Sequence, residues 1–325
     1  MHGRLRTFMF RLCAGSALFF ILAVIGYSRF FGPAGDDATK IEFVVTPNEP
    51  LATVAADLKS DGLVRSEWAF MLAYLREGRA IRAGGYEIST TMDAWSVADT
   101  LGNSPYLAWV VVKPGMRFEE IGDLLANQLS WTKEERAAWS AIASSTAKGY
   151  EDGVYFPDTY LIPSDQPPVQ VAARLADRFS QVTEPYLEEA AKDGLKWSTV
   201  LTIASLIERE AAGPDMKLIS GIIRNRLEKN MALQLDDTLQ YVKGSTDNWW
   251  PVVHSEDKYL DSPFNTYEHT GLPPHPIANV PLAAIDAALN PEVTHCLYYL
   301  HDNTGQIHCS PNYAGQLQNV NKYLK

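Results

Sequence analysis

Apolar and polar positions alternate between helical and strand-like spacing along most of the chain. An apolar, charge-free run from Leu12 to Tyr27 comes first, with Phe30 and Phe31 just beyond it. Residues 32–40 are a polar linker, and Glu42 to Val45 is a short strand-like run. Leu51, Val54, Ala55 and Leu58 then recur at helical spacing until Gly62 stops them. Ser66 is placed to cap a second helix, whose core face is expected to carry Trp68, Phe70, Leu72 and Leu75. Ala83 to Ile88 reads as a turn into a strand, Val97 to Leu101 as a short helix, and Leu107 to Val112 as another strand. Asp152 to Ile162 reads as an aromatic loop around Pro157, followed by a helical region through Asp193. The next helix, Trp197 to Ala212, starts beside Ser198 as candidate N-cap and is apolar nearly all round, so it is expected to be buried. Gly213 and Pro214 stop it. A helix from Met216 to Lys229 follows. Later come a Pro-rich loop from Ser262, a helix over Leu282 to Leu289, a hairpin between Cys296 and Cys309, and a last helix from Tyr313 to Leu324. This pattern predicts an α+β fold, richer in helix in its second half.

The chain repeats itself weakly. The segment beginning at Thr46 (TPNEPLATVAADL) parallels the one beginning at Lys113 (KPGMRFEEIGDLL), with Leu51, Val54 and Leu58 matching Phe118, Ile121 and Leu125. A strand precedes each. This strand, Pro turn and helix arrangement resembles a LysM-type glycan-binding unit, although such units are also common scaffolding.

With 325 residues, 46% of them hydrophobic and 11% aromatic, the chain holds enough apolar surface for a packed core. A net charge of -11 argues against a nucleic-acid partner, because the chain offers no excess of cations to neutralise a phosphate backbone. Arg4, Arg6 and Arg11 precede the first apolar run, which reads as a retained signal-anchor with the C-terminal bulk outside the cytoplasm. Cleavage as a signal peptide is the alternative. Cys296 and Cys309 flank the hairpin, where an oxidising compartment would permit a bridge; two small buried thiols are the other reading.

No metal-binding spacing, nucleophile elbow, phosphate loop or dinucleotide fingerprint occurs, so neither metal nor cofactor is expected. The unusual feature is the buried helix itself, which ends in Glu208 and Glu210 around Arg209. Residues two apart on a helix point about 200° apart, so the two carboxylates do not easily share a site. Glu210 continues the stripe of Val200, Ile203 and Ile207, and Glu208 that of Leu201, Ala204 and Ser205. A carboxyl projecting into apolar surroundings is held protonated, as a general acid at neutral pH must be. Two exposed acids at a fraying helix end, one paired to Arg209, fit the same spacing.

Four motifs in order bear on this choice. IASLIEREA is followed by IIRNRL (Asn225, Arg226, Leu227), by MALQLDDTLQY (Leu233, Gln234, Asp236, Thr238) and by FNTYEHTGLPP (Asn265, Thr266, Tyr267, Gly271 to Pro274). In this order they resemble the endolytic murein transglycosylase family (MltG, or YceG-like), as do the turn from Ala83 to Tyr86 and the PDTY segment from Pro157 to Tyr160. The resemblance implies a membrane-anchored, periplasmic lytic transglycosylase that cuts peptidoglycan glycan strands non-hydrolytically. It implies Glu210 as the catalytic acid/base. Glu208, Gln234, Asp236, Thr238, Asn265, Thr266 and Tyr267 become candidate substrate contacts. Peptidoglycan strands and peptidoglycan synthases are the implied partners. The domain organisation expected is an anchor over 1–31, a linker over 32–40, a LysM-like subdomain over 41–104 and a catalytic domain over 105–325. The chain departs from the family pattern at Asp237, where Pro is usual, at Cys309 after His308, and at Gln316-Leu317. A non-catalytic, wall-binding division scaffold is the competing expectation.

Overall fold

The computed structural model describes residues 20–145, 152–211 and 213–325. Residues 20–31 are helical, but none of the described helices is long and apolar enough to cross a membrane. The expected anchor falls largely on residues 1–19 and so lies outside the described residues. The chain divides into two compact units: residues 1–109 with 161–165, and residues 110–160 with 166–325. The strands β3 and β4 straddle these divisions.

In the first unit, β1 (Ile41–Val45) pairs antiparallel with β2 (Gly84–Ile88), which pairs with the start of β3 (Leu107–Val111). Phe43 and Val45 alternate inward, as a half-buried strand requires. Gly84 is needed at the crossing, because a Cβ there would lie 2.4 Å from the Leu107 carbonyl oxygen. Helix α1 (Leu51–Ser60) buries Val54, Ala55 and Leu58. Ser66 caps α2 (Glu67–Glu77) by accepting from the Ala69 N–H. Asp93 caps α3 (Ala94–Gly102) in the same way. The core is built from Phe43, Leu58, Leu63, Phe70, Tyr86, Ile88 and Leu101.

The expected face of α2 needs correction. Of the four residues assigned to it, Phe70 alone is buried, beside Ala69 and Ala73; Trp68, Leu72 and Leu75 are exposed. Two helical stripes were available. The one bearing small residues packs closely against its neighbours, and the bulky one faces outward.

The sheet order is β1-β2-β3-β4, with β4 formed by Thr159–Pro163. The segment read as a loop therefore ends in a strand, with Tyr160 and Ile162 pointing inward. Pro157 precedes the strand rather than interrupting it, so its missing N–H costs no ladder bond.

The second unit is mostly helical: α4 (Phe118–Gln128), α5 (Lys133–Ser145), α6 (Pro168–Lys192), α7 (Trp197–Glu210), α8 (Met216–Glu228), α9 (Asp236–Lys243), α10 (Leu282–Leu289) and α11 (Tyr313–Tyr323). A hairpin of β5 (Tyr298–His301) and β6 (Ile307–Ser310) precedes α11 and is closed by a Cys296–Cys309 disulfide. Helix α7 is buried continuously from Val200 to Ile207 and packs against α6, α8, α9 and α10. Its N-cap is Lys196, not Ser198, which lies inside the first turn and accepts from the Thr202 hydroxyl. Polar groups inside this core are matched: the Ser205 hydroxyl donates to the Thr202 carbonyl and accepts from the Ile277 N–H. Helix α7 leaves this core at Ile207 and ends at Glu210.

Candidate active site

Glu210 ends α7 where the chain turns extended at Ala211. Its carboxyl faces a cavity of about 230 Å³ lined by Arg226, Gln234, Asp236, Tyr267, Tyr298, Tyr299 and Gln316, among others. The Tyr299 hydroxyl donates to Glu210 Oε2 at 2.7 Å. Loss of water is the largest influence on Glu210, followed by the nearby charge of Asp237; together they push its pKa up to about 8, against the Tyr299 hydrogen bond. Glu210 is therefore a neutral acid at pH 7 with one face open to the cavity.

Asp237, buried in the first turn of α9, shares a hydrogen bond with Glu210. Arg209 Nε lies 3.9 Å from its Oδ1, and the Arg209 guanidinium stacks 3.6 Å over Trp250. Glu208 points to a different place, near Gly115. It too is raised by burial, to about 7, and its Oε2 is buried without a hydrogen-bond partner. Of the two glutamates, Glu210 is the one that reaches the cavity.

The other expected residues separate into two groups. Gln234, Asp236 and Tyr267 line the cavity. Gln234 has a left-handed backbone (φ 52°), pinned by its N–H donating to the Thr266 carbonyl. The Tyr267 hydroxyl donates to Asp236 Oδ1 at 2.6 Å. Thr238, Thr266 and Asn265 are buried and spend their polar atoms on the chain. Thr266 Oγ1 accepts from the Leu235 N–H and meets Thr238 Oγ1 at 3.0 Å. The Asn265 amide donates to the Lys258 and Leu260 carbonyls and accepts from the Tyr267 N–H. These three hold the Gln234–Asp236 and Tyr267 walls together.

Five further residues reach the site: Arg226, Asp237, Tyr298, Tyr299 and Gln316. Arg226 had a signal, since it lies within the IIRNRL motif. It fixes the cavity wall by donating to the carbonyls of Leu297 (2.6 Å), Ala232 and Leu233. Asp237 was visible only as a departure from the family pattern. Gln316 donates to the Tyr299 carbonyl, and its own Oε1 is buried and unpaired at the cavity. Nothing local in the sequence marks Tyr299.

A larger groove of about 660 Å³ lies along α6, lined by Val154, Phe179, Leu187 and Trp197. Glu184 is the one acidic side chain in its lining. No group of three or more His, Cys, Asp and Glu side chains among the described residues is arranged to hold a metal.

A neutral carboxyl against a polar, aromatic-lined cavity is the arrangement that general acid catalysis requires. The chain is a member of the YceG-like family, whose sequence profile matches residues 43–322. A Bacillus subtilis (strain 168) protein named endolytic murein transglycosylase is 28% identical over 298 residues, 84% of this chain and 81% of that protein. A protein of the same name from Streptococcus pneumoniae serotype 2 is 24% identical over 308 residues, 83% of this chain but 56% of that protein. The crystal structure of a putative YceG-like protein from Listeria monocytogenes shares the fold, with a TM-score of 0.60 and 23% identity. It covers 87% of this chain and 99% of its own.

Proposed function

We propose that this chain is an endolytic lytic transglycosylase of peptidoglycan, with Glu210 as its acid/base. The observation that carries the reading is the neutral Glu210 carboxyl, raised to about 8 and open to a polar cavity. Glu210 donates its proton to the glycosidic oxygen between N-acetylmuramic acid and N-acetylglucosamine. The carboxylate left behind takes the proton of the muramoyl C6 hydroxyl as that oxygen closes on C1. One proton leaves Glu210 and one returns, no water is consumed, and the product is a 1,6-anhydro end. The attacking hydroxyl belongs to the same sugar, so proximity supplies much of the rate and no second carboxylate has to activate a water.

Gln234, Asp236 and Tyr267 contact the glycan, with Thr238, Asn265 and Thr266 acting through them. Glu208 stands apart from the reacting bond and serves the adjoining wall near Gly115. In its cell the protein is held by its N-terminal segment in the cytoplasmic membrane, with both units on the periplasmic side. The subdomain over residues 41–104 is a LysM-like glycan-binding element. The enzyme trims or terminates nascent strands beside peptidoglycan synthases.

The test is incubation of the protein with purified glycan strands, read by mass spectrometry. Wild type is expected to release anhydro ends, and Glu210→Gln to reduce their release by at least about 1000-fold with an unchanged fold. Reducing ends would mean a hydrolase. Strand binding with no product from wild type would mean a wall-binding scaffold.

A further inference from the structure

The acid assignment leaves one buried carboxyl beside Glu210 without a role. Asp237 enters from α9, in hydrogen-bond contact with Glu210, and is almost fully buried. Two carboxyl groups in such contact hold one proton between them, since like charges this close do not both ionise readily. They are too close for the two-carboxylate hydrolases, which need about 5–5.5 Å to form a covalent intermediate or about 6.5–9.5 Å to admit a water. Asp237 is therefore not a second hydrolytic carboxylate.

We propose that Asp237 is a positioning residue for Glu210, its carboxylate accepting the Glu210 proton in a hydrogen bond and keeping that proton on the acid until substrate takes it. The surroundings divide the labour. Burial pushes the Asp237 carboxyl up as well, but Arg209, 3.9 Å away, and the hydrogen bond with Glu210 favour its ionised form. Tyr299, from β5, donates to Glu210 Oε2 and so occupies an acceptor position there. Asp236 from α9 adds negative charge toward Glu210, Arg226 from α8 adds positive charge, and Tyr267 borders the same cavity. The proton accordingly resides on Glu210, which burial and Asp237 hold above the ordinary carboxyl range.

The same contact assists the second half of the proposed reaction. Once Glu210 has given its proton to the leaving oxygen, two carboxylates face each other. Their repulsion makes Glu210 a stronger base toward the C6 hydroxyl. Asp237 gains and loses no proton over the cycle and forms no bond to sugar.

This inference rests on the transglycosylase reading, so its test needs a readout independent of turnover. The Glu210 carboxyl carbon is followed by NMR in the full chain in detergent, with ¹³C-labelled glutamate and Glu210→Gln identifying the signal. The pH profile of anhydro-end release is measured alongside. Asp237→Asn is expected to lower the Glu210 midpoint by about one pH unit or more, and to move the alkaline limb of the profile down equally. Asp237→Glu is expected to restore both. If Asp237→Asn does not fold, Asp237→Pro removes the same carboxyl at a first-turn position that accommodates proline. A midpoint unchanged in a folded variant without the Asp237 carboxyl overturns the inference. A shifted midpoint in a wild type that yields no anhydro ends leaves the pairing standing and sinks the transglycosylase reading instead.

Discussion

At the residue scale, the site is governed by what burial does to carboxyl groups. Glu210 rises from 4.5 to about 8, and Glu208 from 4.5 to about 7, in both cases chiefly because folding strips water from the charged form. The native state then binds protons that the unfolded chain has already lost. Between about pH 5 and pH 8, stability must fall as pH rises, because the buried acids are forced to ionise. The stabilising protonation is complete below the unfolded pKa and is gone once pH passes the folded one. Glu210→Gln keeps the shape and removes the ionisation. It is expected to raise the melting temperature relative to wild type at about pH 9 and to change it little at about pH 5. Thermal denaturation followed by circular dichroism at the two pH values checks this; an equal shift at both would mean that Glu210 does not titrate abnormally.

At the element scale, the cavity is assembled by groups that bridge helices, turns and the hairpin. Arg226 on α8 takes carbonyls from the segment before α9 and from Leu297 at the start of the hairpin, and its guanidinium lies 5.3 Å from the Tyr298 ring centroid. A buried guanidinium with several backbone acceptors leaves them all unpaired when removed. Arg226→Ala is expected to cost about 3–5 kcal/mol in urea denaturation, and Arg226→Lys to recover little, because an ammonium lacks the planar fork. A loss below about 1 kcal/mol for Arg226→Ala would show that the bridge is dispensable. The elements differ in how openly the sequence announces them. Helix α7 is legible because apolar residues surround it almost completely. In α2 the same apolar count misleads, since Trp68, Leu72 and Leu75 form a stripe as regular as the one that is buried. Strand β4 is masked by the turn chemistry of Pro157 just before it.

At the scale of the whole molecule, the first compact unit extends to Trp109 and takes back residues 161–165. A chain started at residue 105 would keep β3 but lose β2, which covers it through Gly84 and Gly85. Leu107 and Ala108, buried in the whole protein, would then lie on an unpaired edge. Such a truncation is expected to aggregate, with size-exclusion chromatography showing a void-volume peak. A monodisperse, fully helical monomer would mean that the strand pairing contributes little.

The sequence alone determined the α+β class, the buried helix carrying the two glutamates, and family membership, because local periodicity and ordered motifs survive in one dimension. It also singled out Glu210 over Glu208 as the candidate acid, through the resemblance its ordered motifs carry. Only the tertiary structure shows which of the two borders a cavity, because the cavity wall comes from segments far apart in the chain: Gln234, Tyr267, Tyr299 and Gln316. It alone decided that Asn265, Thr266 and Thr238 face inward to the backbone and that Asp237 meets Glu210. Desolvation and hydrogen bonding depend on neighbours in space, and spacing along a chain does not specify those.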